Sequence, residues 1–179
     1  MNDQPSSPPD PEPSPATEAL QRLGIAFERV DHPPVYTTEE ASRLVPALPG
    51  AKAKNLFLRD AHGRQHFLVV VPYAKRADLS QLARALGLRK LTFGSPEELQ
   101  RLLGVTPGAV SVLGVVCDRN CAVRVVIDEA LWQAPALQCH PLVNTATLSV
   151  SLPGLRQLLA ATGHEPEVLD VPARAEPPG

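Results

Sequence analysis

The chain has 179 residues, of which 44% are hydrophobic and 20% charged, and its net charge is -2. That length suits one domain with a real core and excludes two, and the composition is that of a soluble globular protein. No run approaches the roughly 18 apolar residues of a membrane span and no apolar signal-peptide core opens the chain, so no membrane contact and a cytoplasmic location are expected.

The near-neutral total argues against indiscriminate nucleic-acid binding but hides an asymmetry. Asp3, Asp10 and Glu12 lie at the N-terminal end, while Lys52, Lys54, Arg59, Lys75, Arg76, Arg84, Arg89, Lys90 and Arg101 crowd the middle. A local phosphate-binding surface and an ordinary solvated face both explain that crowding. Cys117, Cys121 and Cys139 suit small reduced side chains better than a disulfide framework. With His140 they nominally supply four zinc ligands, but their spacing is poor for a zinc ribbon, and no metal is expected.

Residues 1–15 are rich in Pro and Ser and too poor in apolar side chains to offset ordering entropy, so they read as a disordered tail. Residues 171–179 read as a second, flexible tail. Between them, residues 17–23 form a short helix closed by Gly24. Residues 27–30 form a strand, and Thr37 with Glu40 gives a capping-box signature for the next helix. Two apolar runs, 54–59 and 66–71, flank Asp60-Ala61-His62-Gly63 as a hairpin. Asp78 caps a helix stopped by Gly87, and Pro96 opens another ended by Gly104. Strands follow at 110–116, 122–127, 137–140 and 145–150, then a helix from Pro153 to a stop at Gly163. Hairpins mixed with helices predict an α/β (α+β) domain around a mixed, mostly antiparallel sheet. No glycine-rich nucleotide motif is present.

Three short segments carry candidate chemistry. In an extended strand Lys54 shares a face with Leu56 and Leu58, so its ammonium either snorkels to water or sits at the mouth of a cleft; Asn55 points to the opposite face. In residues 104–111 Gly104 ends a helix and Pro107-Gly108 fits a type II turn, while Gly108 also allows a ligand close to the backbone N–H groups. Residues 140–147 gather His140, Asn144, Thr145 and Thr147 at a proline-directed turn, either as local backbone partners or as a wall for a polar ligand. His140 has the chemistry of a general base, but no nucleophilic Ser or Cys is identifiable beside it. Of the other histidines, His62 lies in a turn, His66 is expected to be exposed at a strand start and His164 to serve helix capping.

Lys54-Asn55-Leu56-Phe57-Leu58, the Gly-x-x-Pro-Gly-x-Val-Ser loop at 104–111 with Gly104, Pro107, Gly108 and Ser111, and His140-Pro-x-x-Asn-Thr-x-Thr together resemble the YbaK-like aminoacyl-tRNA deacylases. The likeness is nearest to the PrdX or ProXp-ala branch, spans about residues 17–170, and places an editing domain at 16–170. It implies a compact fold with a barrel-like sheet, no cofactor, and hydrolysis of the ester of mischarged Ala-tRNA(Pro). Prolyl-tRNA synthetase is the implied protein companion. Lys54 and Asn55 would hold the 3′-terminal adenosine and its phosphate, and His140 would position the substrate end. The Gly104–Gly108 loop, including Pro107, would hold the aminoacyl group, with Ser111, Asn144 and Thr145 beside it. Val35, Tyr36 and Leu44 are expected to line the side-chain pocket. Val112-Leu113 replaces a Pro-Phe common in the family, and the Cys117–Cys121 connection replaces a polar turn, so Cys- or Ser-tRNA remains an alternative substrate. A non-catalytic tRNA-binding module of the same fold is the alternative of a different class.

Overall fold

The computed structural model describes residues 13–175; most of the proline-rich stretch, and residues 176–179, fall outside the described residues. Ser14 caps α1 (Pro15–Arg22) through a reciprocal bond with Thr17, so the helix begins two residues earlier than the apolar pattern suggests. β1 (Phe27–Asp31) leads through the Asp-His-Pro-Pro segment to α2 (Thr38–Leu44), where Thr37 and Glu40 form the expected capping box. The hairpin is β2 (Ala51–Asp60) with β3 (His66–Pro72). Asp78 caps α3 (Leu79–Ala85), and a short β4 (Leu91–Phe93) precedes α4 (Pro96–Leu103), which Gly104 ends in the left-handed conformation.

Residues 110–116 depart from the expected strand. They lie within two 3₁₀ turns and their junction, Pro107–Ala109 and Val112–Cys117, the second begun by Ser111 Oγ accepting from Leu113 N at 3.2 Å. A short apolar run does not itself distinguish a buried strand from a buried helical turn, and here the serine cap decides. β5 (Val123–Asp128), α5 (Glu129–Trp132), β6 (Ala136–Cys139), β7 (Ala146–Ser151), α6 (Leu152–Thr162) and β8 (Glu167–Leu169) complete the chain.

The eight strands form one mixed sheet in the order β1-β7-β6-β2-β3-β5-β8, with β4 paired to β2. Four pairings are antiparallel and three parallel. β3 is buried along nearly its whole length, which accounts for its unbroken apolar run. Its Leu68 and Val70 enter the core beneath α1, α4 and α6, while Phe67, Val69 and Val71 join Leu82 and Ala83 of α3 on the other face.

β2 is the strand that serves both halves of the sheet. One edge pairs with β3 from Ala53 to Arg59; the other meets β6 at Ala51 and Lys52 and β4 at Leu58 to Asp60. Residues 53–56 therefore have no strand neighbour on that second edge, and the Phe57 carbonyl accepts from Gly94 N at 3.0 Å. Gly50 sets the entry to β2 at φ +106°, and a Cβ there would lie 3.1 Å from the Ala136 backbone, so only glycine fits.

The end of the chain is held rather than loose through residue 175. Val171 is 1% exposed, and Ala173 bridges to Ala77. Lys75 Nζ donates to Asp128 Oδ2 at 2.7 Å, Asp170 Oδ1 at 2.8 Å and the Val171 carbonyl at 2.9 Å. These bonds raise the Lys75 pKa although burial alone would lower it. His164 caps α6 as expected, its backbone N–H donating to the Leu159 carbonyl at 2.9 Å, and its side chain does more. It is buried, and its Nε2–H donates to Asp118 Oδ2 at 3.0 Å, while Asp118 orders the Cys117–Cys121 connection by accepting from Ala122 N and Val123 N. His66, expected to be exposed, is 6% exposed and stacks on Phe57.

Replacing Lys75 with Met leaves the Asp128 carboxylate, 1% exposed, without its counter-charge. The expected cost is about 3 kcal/mol, read as a lower urea midpoint with an unchanged m-value.

Candidate functional site

A small cavity of about 80 Å³ lies where α2, β2 and β6 meet, far below the roughly 300–1,000 Å³ of a drug-sized site. α2 and the turn after it supply Ala41, Ser42 and Val45; β2 supplies Lys52, Ala53 and Asn55; Gln138, Cys139 and His140 close the opposite wall. Local bonds hold these elements. Glu40 Oε2 accepts from Tyr36 N at 2.8 Å and Thr37 N at 3.2 Å, and Gln138 Nε2 donates to the Leu48 carbonyl at 2.7 Å.

His140 is fixed in one orientation. Its Nδ1–H donates to the Ala146 carbonyl at 3.1 Å, so the neutral ring carries its lone pair on Nε2. Burial pushes the imidazole below the ordinary histidine value, the Ala146 carbonyl opposes that shift, and nearby His32 adds to it. His32 is itself buried: its Nδ1–H donates to the Pro33 carbonyl at 2.9 Å, and its Nε2 accepts from the Thr147 hydroxyl at 2.9 Å. Through that link the Asp-His-Pro-Pro segment is pinned to the strand that follows His140.

Among the described residues, two buried side-chain polar atoms have no hydrogen-bond partner: Asn55 Oδ1 and Tyr73 Oη. Both residues line this cavity. A buried polar atom left unmatched costs about 1–3 kcal/mol, so two in one place need a reason. Tyr73 lies outside all three sequence motifs, and a tyrosine just past the aliphatic Leu68–Val71 run does not itself mark a site.

Lys54 lies on the other face of β2. It borders a cleft of about 1330 Å³ with Leu56, Lys75, Arg76, Phe93 and Arg174. Burial lowers its pKa, and the adjacent Arg76 charge lowers it further. Lys75 is occupied by its two carboxylates, whereas Lys54, Arg76 and Arg174 make no ion pair among the described residues. Lys54 and Asn55, expected to act together, are thus divided by the strand that carries them. The unpaired edge of β2 between β4 and β6 lies between the two sides.

The remaining candidates separate. Val35, 7% exposed, lines the cavity; Tyr36, 75% exposed, and Leu44, 40% exposed, do not. Ala41, Ser42 and Val45 stand in the wall instead. Tyr36 lies beside Gly108, where an added Cβ would sit 3.8 Å from its ring and 3.6 Å from Asn144 Nδ2. Gly108, Tyr36 and Asn144 therefore form a second cluster. Pro107-Gly108 belongs to a 3₁₀ turn without the positive φ that a type II turn requires. Gly104 is a helix cap packed near Cys117, and Ser111 is fully buried as a turn cap, so neither borders the cavity. Thr145 is exposed, and its carbonyl accepts from His32 N at 3.0 Å. Among the described residues no three His, Cys, Asp or Glu side chains gather as a metal site.

A mixed sheet flanked by helices, with this cavity against its β2 edge, defines an editing-domain architecture, and residues 32–158 match the family described as the aminoacyl-tRNA editing domain. The chain belongs to that family. It is 40% identical over 145 residues to the prolyl-tRNA editing protein ProX of Acetoanaerobium sticklandii, covering 81% of this chain and 88% of that one. It is 35% identical to the prolyl-tRNA synthetase associated domain-containing protein 1 of Danio rerio, covering 85% and 83%. The multifunctional Ser/Thr-tRNA deacylase ProXp-y of Escherichia coli is 30% identical, covering 71% and 80%. A solved structure described as a candidate trans-editing enzyme for prolyl tRNA synthetase superposes with TM-score 0.65 at 26% identity, covering 90% and 96%.

In an NMR titration, the His140 ring should change charge below the ordinary histidine midpoint and show the Nδ1–H tautomer at neutral pH, because burial disfavours its imidazolium form. A midpoint at or above that of a solvent-exposed histidine would contradict the environment described.

Proposed function

We propose that the chain is a free-standing deacylase that hydrolyses the ester of a mischarged tRNA, with Ala-tRNA(Pro) as its substrate. The observation that carries this reading is the pairing of a small cavity, bearing a fixed imidazole and two unmatched polar atoms, with a cationic cleft across one strand. The family membership gives the reaction class, and the relatives named for prolyl-tRNA point to the tRNA.

The geometry suits an ester that is already activated. On this reading the aminoacyl group enters the cavity and the terminal phosphates lie against Lys54, Arg76 and Arg174, with the nucleotide passing the unpaired edge of β2. His140 Nε2 takes the proton of an attacking water, and the protein's remaining work is positioning and stabilisation of negative charge. The reaction needs no metal or organic cofactor. On this reading the apolar wall of Val35, Ala41, Val45 and Cys139 sorts a methyl side chain from a pyrrolidine ring by size and so spares cognate Pro-tRNA. A companion prolyl-tRNA synthetase would supply the mischarged product, in the cytoplasm; among the described residues no helix is long and apolar enough to cross a membrane.

Ser42 and Gln138 in the wall favour a second reading, a substrate with a hydroxyl side chain, in line with the name of the Escherichia coli relative. Deacylation of Ala-, Ser-, Cys-, Thr- and Pro-tRNA separates the readings. Ala-tRNA(Pro) should be cleared fastest, and Lys54→Ala should lower kcat/KM about 100-fold by loosening the substrate's position. Binding without turnover of any of them would identify a non-catalytic module instead.

Val35→Ala should enlarge the cavity and raise activity on Pro-tRNA roughly 10-fold or more relative to Ala-tRNA, the scale set by one or two methylenes in an apolar pocket. Unchanged selectivity would remove Val35 from the sieve.

A further inference from the structure

Asn55 and Tyr73 line one cavity with His140, and each has a buried polar atom without a partner. Native structures pair nearly all such atoms, so two orphans on residues that line one small cavity point to a ligand that completes them as it seats. They differ in kind: Asn55 Oδ1 only accepts, whereas the Tyr73 phenol has a hydrogen to donate. An aminoacyl ester carries the complementary set. Its α-ammonium only donates, and its carbonyl, attached to the same carbon, only accepts. No Asp or Glu lines the cavity, and Lys52 in its wall is an exposed residue whose ammonium can stay in water, so Asn55 is placed to read a bound ammonium without a carboxylate. The Tyr73 backbone is anchored by its N–H donating to the Lys52 carbonyl at 3.0 Å, which starts the side chain from a fixed point.

We propose that Tyr73 is a catalytic residue that donates its hydroxyl hydrogen to the ester carbonyl oxygen of the bound aminoacyl group, while Asn55 Oδ1 receives the α-ammonium. The assignment rests on the deacylase reading above and adds the groups that read the amino acid. In the step, a water oxygen bonds to the carbonyl carbon and its proton passes to His140 Nε2. The carbonyl π pair becomes an oxyanion held by the Tyr73 O–H. On collapse the bond from carbon to ribose oxygen breaks, and that oxygen takes the proton from His140. Free amino acid and tRNA leave, and the phenol keeps its own hydrogen.

The test compares the full chain with Tyr73→Phe and Asn55→Ala on Ala-tRNA(Pro) and on lactyl-tRNA(Pro), whose α-hydroxyl replaces the ammonium, alongside thermal melts. Tyr73→Phe should lower kcat by about 100-fold or more with KM nearly unchanged, the scale of one lost oxyanion donor. Its Tm should hold or rise, because the hydroxyl removed had no partner. The parent protein should prefer the alanyl over the lactyl ester about tenfold or more, and Asn55→Ala should erase that preference. Tyr73→Phe turning over within about threefold of the parent overturns the proposal, as does a fall in its Tm with kcat retained in the folded fraction. An Asn55→Ala variant that keeps the full alanyl preference overturns the ammonium assignment. A parent protein inactive on every charged tRNA refutes the deacylase reading itself, before any variant is compared.

Discussion

β2 has to satisfy neighbours that cannot all lie alongside it at once. Its ten residues pair with β3 on one edge and share the other between β6 and β4, one at each end. The space between those two short partners leaves residues 53–56 without a strand neighbour, in the middle of the sheet rather than at its rim. Unpaired strand edges are normally managed by covering or charging them. Here Lys54 lies on one side of the opening and Asn55 on the other, so on the proposed reading the architecture that joins the two half-sheets also supplies the place where a substrate would meet both faces.

The two sides have opposite physical characters. One is broad and cationic, suited to phosphates that remain partly solvated. The other is small, lacks carboxylates, and contains polar atoms whose hydrogen bonds are unmade. On the proposed reading, splitting charge recognition from side-chain recognition would let one strand hold a nucleic-acid terminus while its sieve stays small. It also explains the lack of any need for a nucleophilic triad, since an activated ester asks mainly for placement and a few well-aimed groups.

Much of the fold is legible in local chemistry. Thr37 with Glu40, Asp78, Pro96 with Gly104, and the stop at Gly163 mark helix ends because capping is decided within a few residues. Residues 110–116 mislead because their aliphatic run is buried either way, and only Ser111 and the surrounding helices select a 3₁₀ turn. Alternation along β2 assigns Lys54 and Asn55 to opposite faces, yet the partners on each face come from distant segments. The sequence motifs therefore group residues that the fold divides: Ser111 and Gly104 shape turns, whereas Val35 and His140 reach the cavity. Tyr73 is silent in the sequence because a hydroxyl without a partner is a property of packing. β8 and α5 are too short to carry a period of their own.

Arg174 belongs to the last described stretch of chain, which the Lys75–Asp128 clasp and the Ala77 bridge hold against the cationic cleft. During synthesis that stretch emerges after every segment that lines the small cavity. A nascent chain already folded through β7 has most of the small cavity but lacks one wall of the cleft, and the Asp128 carboxylate lacks the Val171 N–H it later accepts from. On the proposed reading, the cleft that would take a nucleic-acid terminus is therefore completed after the small cavity, and a copy still emerging from the ribosome is the form least equipped to hold one.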